Sequence, residues 1–181
     1  MKMASKDNDN KPVIDGTESK KMRYEKLVAA FYNDIFRYVY WLSKSRQVAE
    51  DLTQETFLRA WRALNSLKNP GAAKAWLFTI LRRENARLYE KFRPPTDDID
   101  DCSVPDIDKM EPDEILEHEM LHKAMTELEP EYLDPSLLQV IGGFSGEEIA
   151  QMLDLNNNTM MTRLFRARNK LKDGLENDDK D

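Results

Sequence analysis

Apolar residues recur with a helical period through the first half of the chain. Over Tyr24–Leu42 they fall at i, i+3, i+4, i+7, i+11, i+14, i+15 and i+18, which predicts an amphipathic helix of about five turns. The same period predicts a second helix over Val48–Leu64 and a third over Ala73–Phe92. Asn69–Gly71 is a turn signal between them. Arg93–Pro95 ends the third helix, because proline cannot continue it.

Helical periodicity returns in the second half of the chain at Glu114–Leu128. Asp134-Pro135 then predicts an N-cap followed by proline at the first helical position, where the missing N–H of proline does no harm. The helix so opened runs to Ile141, and Gly142-Gly143 closes it. No segment shows the alternation typical of a strand, so the predicted fold class is all-α.

The segment Phe144–Leu171 has the pattern of a helix-turn-helix. Ser145–Glu148 has the Ser-x-x-Glu spacing of a capping box, which opens a short helix to Leu153. The polar turn Asn156–Asn158 precedes a last helix that runs to about Lys172. In such a motif the second helix can lie in the major groove of DNA.

The last helix has two different faces. One is apolar at i, i+4, i+7 and i+11 and is predicted to pack on the preceding helix: Met160, Leu164, Ala167 and Leu171. The other carries hydroxyl and basic side chains, which suit phosphates and base edges: Thr159, Thr162, Arg163, Arg166 and Lys170. A solvated face of an ordinary helical hairpin explains this pattern equally well.

Charge divides the chain into blocks. The net charge is −7, yet 23–95 holds 14 Lys and Arg against 7 Asp and Glu, whereas 96–127 holds 12 acidic residues against 2 basic ones. Thr96–Pro112 has prolines and no apolar period, and therefore predicts a flexible acidic linker. We expect two small helical domains joined by this linker, with a disordered N-terminal tail and a short C-terminal tail: 1–22, 23–95, 96–113, 114–175 and 176–181.

Composition excludes several classes of function. No apolar run approaches the ~18 residues of a membrane span, and Met1–Asn10 lacks the apolar core of a secretory signal. We therefore expect a cytoplasmic protein without membrane insertion. Cys102 is the only cysteine, and His118 and His122 are too few to build a zinc site. Because the chain shows no nucleophile–base pair, phosphate loop or metal cluster, we expect neither an enzyme nor a cofactor.

The second predicted helix carries a polar stripe. Its members lie at i, i+3, i+4 and i+11 and therefore share one face: Asp51, Gln54, Glu55 and Arg62. Paired carboxylates can serve acid–base catalysis or a metal, but neither histidine is near and no third acidic ligand has helical spacing. A docking surface for another protein is the more natural interpretation.

The third predicted helix interleaves aromatic and basic residues over Trp76–Arg87. This composition is typical of surfaces that bind single-stranded nucleic acid, where bases stack on aromatic rings and arginines contact phosphates. Taken alone, a core helix with a basic exposed face is the simpler interpretation.

Taken in order, these segments resemble the extracytoplasmic-function group of bacterial sigma factors, in the sigma-70 family. The resemblance rests on AEDLTQETFLRAW (49–61), AWLFTILRREN (75–85) and the helix-turn-helix block (128–171), and covers about 24–92 and 121–171. It implies a region-2 domain followed by a region-4 domain. It also implies a function, namely binding core RNA polymerase and directing promoter recognition, melting and transcription initiation. A stand-alone helix-turn-helix regulator that does not bind polymerase is the alternative.

The resemblance further assigns residues to three surfaces. Those implied to bind the clamp helices of the polymerase β′ subunit are Asp51, Gln54, Glu55, Phe57, Trp61 and Arg62. Those implied to read the −10 element are Lys68, Trp76, Arg82, Arg83, Asn85 and Arg87. Those implied to read the −35 element are Asn158, Thr159, Thr162, Arg163, Arg166 and Lys170. The implied partners are core polymerase, including its β flap, promoter DNA and an anti-sigma factor.

Three departures from the family pattern bear on these expectations. Arg83 stands where the family's third helix has asparagine, which affects the fine preference at the −10 element. Met161 stands where the last helix has lysine, and so removes a phosphate contact. Pro135 falls where the family has a continuous helix, so we expect that helix to start late.

Overall fold

The computed structural model describes residues 19–91 and 120–178. Within these ranges every regular element is a helix, as predicted. The predicted tail up to residue 18, the acidic linker over Thr96–Pro112, the proline stop at Arg93–Pro95 and Cys102 lie outside the described residues. Among the helices that are described, none combines the length and the apolar character needed to cross a membrane.

Three long helices form the first domain: α1 (Lys20–Ser43), α2 (Arg46–Ala63) and α3 (Ala73–Lys91). Two short 3₁₀ turns, Leu64–Ser66 and Pro70–Ala72, connect α2 to α3 where the turn signal was found. Asn69 caps the start of the second turn, because its side chain accepts a hydrogen bond from the backbone N–H of Gly71 at 2.9 Å.

A cap outside the apolar repeat sets the start of α1. The hydroxyl of Ser19 accepts a hydrogen bond from Met22 N at 3.3 Å, and the helix begins at Lys20. Residues 20–22 are therefore helical, which corrects the expectation that the whole of 1–22 is disordered. At the other end Lys44 adopts a left-handed φ of 53°, which stops the helix.

The apolar faces of the three helices meet in one core. Ile35 of α1 and Leu77, Phe78 and Leu81 of α3 are fully buried at its centre. Each such side chain contributes about 1.5–3 kcal/mol relative to exposure. This packing orients the remaining faces of α2 and α3 outward, and the exposed predicted residues lie there: Asp51, Gln54, Arg62, Arg83 and Arg87.

The second domain contains the described part of a helix over 120–126 (α4), then α5 (Pro130–Val140), α6 (Gly146–Met152) and α7 (Asn157–Asp178). The apolar residues predicted on α7 do face the preceding helices: Met160, Leu164 and Ala167 are buried, and Leu171 packs on the same core. The last helix extends to Asp178 rather than ending near Lys172.

The start predicted for α5 was wrong. The helix begins at Pro130, with Glu129 at the N-cap, and Pro135 lies inside it. Pro130 already occupies the position where a missing N–H is harmless, so the helix opens one turn earlier than Asp134. Pro135 removes one backbone hydrogen bond in the second turn, and its ring is buried. The end agrees with the prediction, since Gly143 takes a left-handed φ of 69°.

Side-chain caps open both helices of the helix-turn-helix. The predicted capping box of α6 is present: Ser145 N donates to Glu148 Oε2 at 2.7 Å, and Glu148 N donates to Ser145 Oγ at 3.3 Å. The Asn run supplies the next cap, because Asn156 Oδ1 accepts from Thr159 N at 2.8 Å. These two caps set where α6 and α7 begin, at Gly146 and Asn157.

Replacing Ser145 with alanine is expected to destabilise the protein by about 1 kcal/mol, because it orphans the Glu148 N–H at the start of α6. Urea unfolding followed by circular dichroism measures this cost. Ser145→Asp is the matched control, since aspartate caps a helix about as well as serine. An alanine variant as stable as the aspartate variant would show that the cap contributes nothing.

The two domains pack against each other along α1, α3 and α5. Phe78 of α3 meets Phe144 edge to face, with ring centroids 5.2 Å apart, and Trp41 of α1 lies 4.6 Å from His122 of α4. Lys44 at the end of α1 donates to the carbonyl of Thr126 at 2.8 Å. Core residues of both domains therefore form one continuous cluster.

Candidate docking and nucleic-acid surfaces

The polar face of α2 is solvent-exposed. Asp51, Gln54 and Arg62 are exposed, and Glu55 is half-buried. Leu58 lies on the same face, seven residues after Asp51, and is 42% exposed. The sequence reasoning missed Leu58, although its position at i+7 of the polar stripe was a visible signal. We call Asp51, Gln54, Glu55, Leu58 and Arg62 the α2 stripe.

Glu55 is tied to the fold as well as to the surface. Arg59 Nε lies 2.8 Å from the Glu55 carboxylate and 3.0 Å from that of Glu84 on α3. Glu84 is buried, and its Oε1 also accepts a hydrogen bond from Arg87 Nη1 at 3.0 Å. Because a buried carboxylate needs its cations, Arg59 and Arg87 both stabilise Glu84. Arg59 also joins α2 to α3, and Glu55 helps to orient Arg59.

Of the two aromatic residues assigned to polymerase binding, Phe57 does not lie on the α2 stripe, whereas Trp61, three residues after Leu58, lies at its edge. The Phe57 side chain is 4% exposed and stacks on Tyr32 with centroids 5.7 Å apart. Trp61 is half-buried. Its ring meets that of Tyr24 edge to face, with centroids 5.1 Å apart, and the Lys20 ammonium lies 4.5 Å from the centroid of the Trp61 ring. The Phe57 side chain therefore belongs to the core and packs beneath the helix face that carries the α2 stripe.

The residues assigned to the −10 element are divided between two sides of α3. Trp76, Arg83 and Arg87 lie at i, i+7 and i+11 and share one face, with both arginines exposed. Lys68 is exposed on the connection that precedes α3. Asn85 is partly buried, and its Oδ1 has no hydrogen-bond partner within the described part of the chain.

Arg82 points away from that face and contacts the second domain. Its Nη1 donates to both carboxylate oxygens of Asp134, at 3.0 and 2.9 Å, and to the hydroxyl of Tyr38 at 2.9 Å. Tyr38 in turn donates to Asp134 Oδ1. We call these three residues the Arg82 network. Asp134, predicted as a helix cap, is instead an ion-pair partner of the first domain.

Burial fixes the protonation of Tyr38. The side chain is 1% exposed, and burial raises the pKa of Tyr38 well above its ordinary value, with the charge of Asp134 raising it further. The phenol therefore stays protonated and remains a hydrogen-bond donor to Asp134.

Five of the six residues assigned to the −35 element line one open cleft of about 370 Å³. The cleft lies along the N-terminal half of α7, with Glu131 and Tyr132 of α5 on its other side, and the five residues are Asn158, Thr159, Thr162, Arg163 and Arg166. The structure thus brings together hydroxyl, amide and guanidinium groups that suit base edges and phosphates.

Glu131 of α5 and Glu129, the N-cap residue of α5, stand beside this face, and the sequence reasoning missed both. Arg163 Nη2 lies 3.5 Å from Glu131 Oε2. Lys170 donates to Glu129 at 2.7 Å; this hydrogen bond lowers the pKa of Glu129 and raises that of Lys170. Arg166 makes no ion pair within the residues described, so it is the cation of this face most available to an anionic ligand.

Comparison with known proteins assigns both domains. The family described as Sigma-70 region 2 matches residues 27–93, and Sigma-70, region 4, matches 118–171. The chain is 34% identical over 132 residues to the ECF RNA polymerase sigma factor EcfG of Rhodopseudomonas palustris, covering 72% of each. It belongs to the ECF sigma factors. It is also 30% identical to SigE of Mycolicibacterium smegmatis over 88% of this chain, and spans 64% of the length of SigE.

A solved structure shares the fold of this sigma factor. The sigma factor RpoE from Bartonella quintana, in complex with the anti-sigma factor NepR, superposes with a TM-score of 0.66 at 26% identity. The match covers 84% of this chain and 96% of that one. A sigma factor held by an anti-sigma factor thus has the same order of domains and a similar arrangement.

Proposed function

We propose that this sigma factor binds core RNA polymerase in the cytoplasm and directs it to promoters, where it supports melting and initiation without catalysing a reaction itself. The observation that carries the proposal is that one chain joins a region-2 domain, with an exposed stripe on α2, to a region-4 helix-turn-helix with a cationic cleft. A stand-alone regulator needs only the second of these.

The α2 stripe is the proposed contact with the β′ clamp helices. Its exposed members offer an anionic and an amide group beside an apolar one, Asp51, Gln54 and Leu58. Interfaces of this kind draw most of their affinity from a few central residues surrounded by polar ones. Phe57 and Trp61 contribute by fixing α2 from below and from the side.

The exposed face of α3 is the proposed −10 surface. Trp76 offers an aromatic ring for stacking, and Arg83 and Arg87 offer guanidinium groups two and three turns further along the same face. Lys68 extends the positive charge onto the preceding connection. This combination suits an unpaired strand, which presents base faces as well as phosphates.

The cleft of α7 is the proposed −35 surface. In a helix-turn-helix the N-terminal residues of the second helix contact base edges in the major groove, and the hydroxyl and guanidinium groups of the cleft occupy this position. The −7 net charge and the two flanking glutamates oppose binding of the free protein to DNA. We propose that polymerase supplies the remaining affinity.

Run-off transcription with core polymerase on genomic fragments tests the proposal. We expect discrete transcripts that require both core polymerase and this protein. A stand-alone regulator would instead bind specific fragments without polymerase, and core would gain no promoter selectivity from it. An anti-sigma factor, the kind of partner that holds RpoE from Bartonella quintana, is expected to suppress the same transcripts.

A further inference from the structure

Helix α7 exposes two large apolar side chains that are not among the residues assigned to the −35 element. Met161 and Phe165 are 56% and 61% exposed. They lie at i and i+4, so their side chains share one face of the helix. Singly exposed apolar residues are common on proteins, whereas adjacent ones on a binding surface indicate an apolar contact. We call Met161 and Phe165 the apolar pair.

The apolar pair borders the cationic cleft. Thr162 and Arg166, which line the cleft, each follow one member of the pair directly in sequence. The side of α7 that faces the core is marked by the buried Met160 and Leu164. At about 100° per residue, Thr162 lies almost opposite this buried side, with Phe165 and Arg166 flanking it. A ligand that contacts Thr162 and Arg166 therefore also meets the Phe165 ring.

A close approach to α6 positions Met161. Its Sδ lies so near Gly146, the first residue of α6, that a β-carbon at Gly146 would be only 2.9 Å away. Because glycine has no β-carbon, the thioether can lie against the start of α6 while the rest of the side chain stays exposed. The helix-turn-helix itself thus holds Met161 beside Phe165.

The chemistry of the apolar pair selects its ligand. In the major groove, base pairs present hydrogen-bonding groups and one apolar group, the C5-methyl of thymine, which phenylalanine and aliphatic side chains contact. A protein partner is the other kind of ligand that covers exposed apolar residues. The position of the pair favours DNA, because it lies in the N-terminal half of α7 and continues a surface of hydroxyl and guanidinium groups.

We propose that the apolar pair recognises the C5-methyl group of a thymine in the −35 element, so that α7 selects this base by an apolar contact beside the polar contacts of the cleft. This inference rests on the proposed function, because it takes α7 as the helix that reads the −35 element. It adds Met161 and Phe165 to that surface and names the chemical group that they distinguish.

Promoters that the holoenzyme selects from a library randomised at the −35 element provide the probe. We expect thymine to be enriched at one position or at two adjacent ones. Replacing such a thymine with deoxyuridine removes the methyl group and keeps every hydrogen-bonding group of the base. This replacement should lower run-off transcription at subsaturating holoenzyme about fourfold, which is the effect of leaving one methyl group unburied.

Phe165→Ala should lower transcription from the thymine promoter and abolish the difference between thymine and deoxyuridine, because both changes remove the same contact. Met161→Ala should reduce this difference. Val140→Ala is the matched control, since Val140 is an exposed apolar residue of the same domain on α5, and should keep the fourfold difference. Arg166→Ala should weaken transcription and yet keep the difference, which separates the methyl contact from the polar ones.

Selected promoters without thymine in the −35 element would overturn the proposal, as would equal transcription from thymine and deoxyuridine promoters by the unaltered holoenzyme. A fourfold difference that survives in Phe165→Ala would also overturn it. If Phe165→Ala instead weakened transcription from all promoters alike and reduced co-purification with core polymerase, the apolar pair would bind a protein rather than thymine. The proposed function fails separately, if the unaltered protein supports no run-off transcription with core polymerase.

Discussion

Replacing both Asp51 and Leu58 with lysine is expected to abolish binding to core RNA polymerase and leave the helical content unchanged. Both side chains are exposed, so their loss should change the free energy of unfolding by only about 0.5 kcal/mol each. If both side chains lie at the centre of the interface, each substitution should weaken the free energy of binding by about 2 kcal/mol or more. Together the two substitutions then lower the affinity for core polymerase roughly a thousandfold. Co-purification with core and circular dichroism measure the two quantities.

Glu55 also lies on the α2 stripe, but its ion pair with Arg59 makes it unsuitable for this test. A lysine at Glu55 would stand against Arg59 and weaken its hold on the buried Glu84, so a loss of binding there would not separate docking from folding. Glu25→Lys on α1 is the matched control, because Glu25 is exposed and, among the described residues, its ion pair is the exposed 3.8 Å pair with Lys21. A double variant that binds core as well as this control would refute the docking surface.

The fold was predictable wherever a local signal decides the structure. The apolar period placed α1, α2 and α3, and the spacing of Ser145 and Glu148 placed the start of α6, because caps and periodicity act within one or two turns. The start of α5 was not predictable in this way. Glu129-Pro130 and Asp134-Pro135 are both acid–proline pairs, and because aspartate is the better N-cap residue, local preference points to the second pair, which is the wrong one.

A contact with the other domain explains that error. Asp134 does not cap a helix because its carboxylate is bound by Arg82, which lies on α3 in the first domain. The roles of individual side chains on α2 were likewise not predictable where they depend on contacts with other helices. Periodicity put Glu55 on the polar face of α2, but Glu55 is also tied through Arg59 to α3. Phe57, which the resemblance assigned to polymerase binding, is buried against Tyr32. Such pairings join elements that are distant in sequence, so no local pattern contains them.

Replacing Arg166 with alanine is expected to cost about 1–3 kcal/mol in promoter binding, roughly 5- to 150-fold, and to relax selection at one position of the −35 element. Arg166 lines the cleft on α7 and has no intramolecular ion pair within the described residues. Arg163→Ala should have a smaller effect, because Arg163 must first leave Glu131. Transcription from promoters randomised at the −35 element measures both losses.

Lys170 and Arg168 complete this series on the same helix. Lys170 lies outside the cleft and is held by Glu129, so Lys170→Ala should weaken all promoters about equally and reduce the salt dependence by at most about one charge. Arg168, which donates to Gln139 at 3.4 Å and does not line the cleft, is the matched arginine control and should leave selection unchanged. If Arg166→Ala weakened all promoters equally, as Lys170→Ala is expected to, α7 would contact only the DNA backbone. Arg166 would then have no role in reading bases.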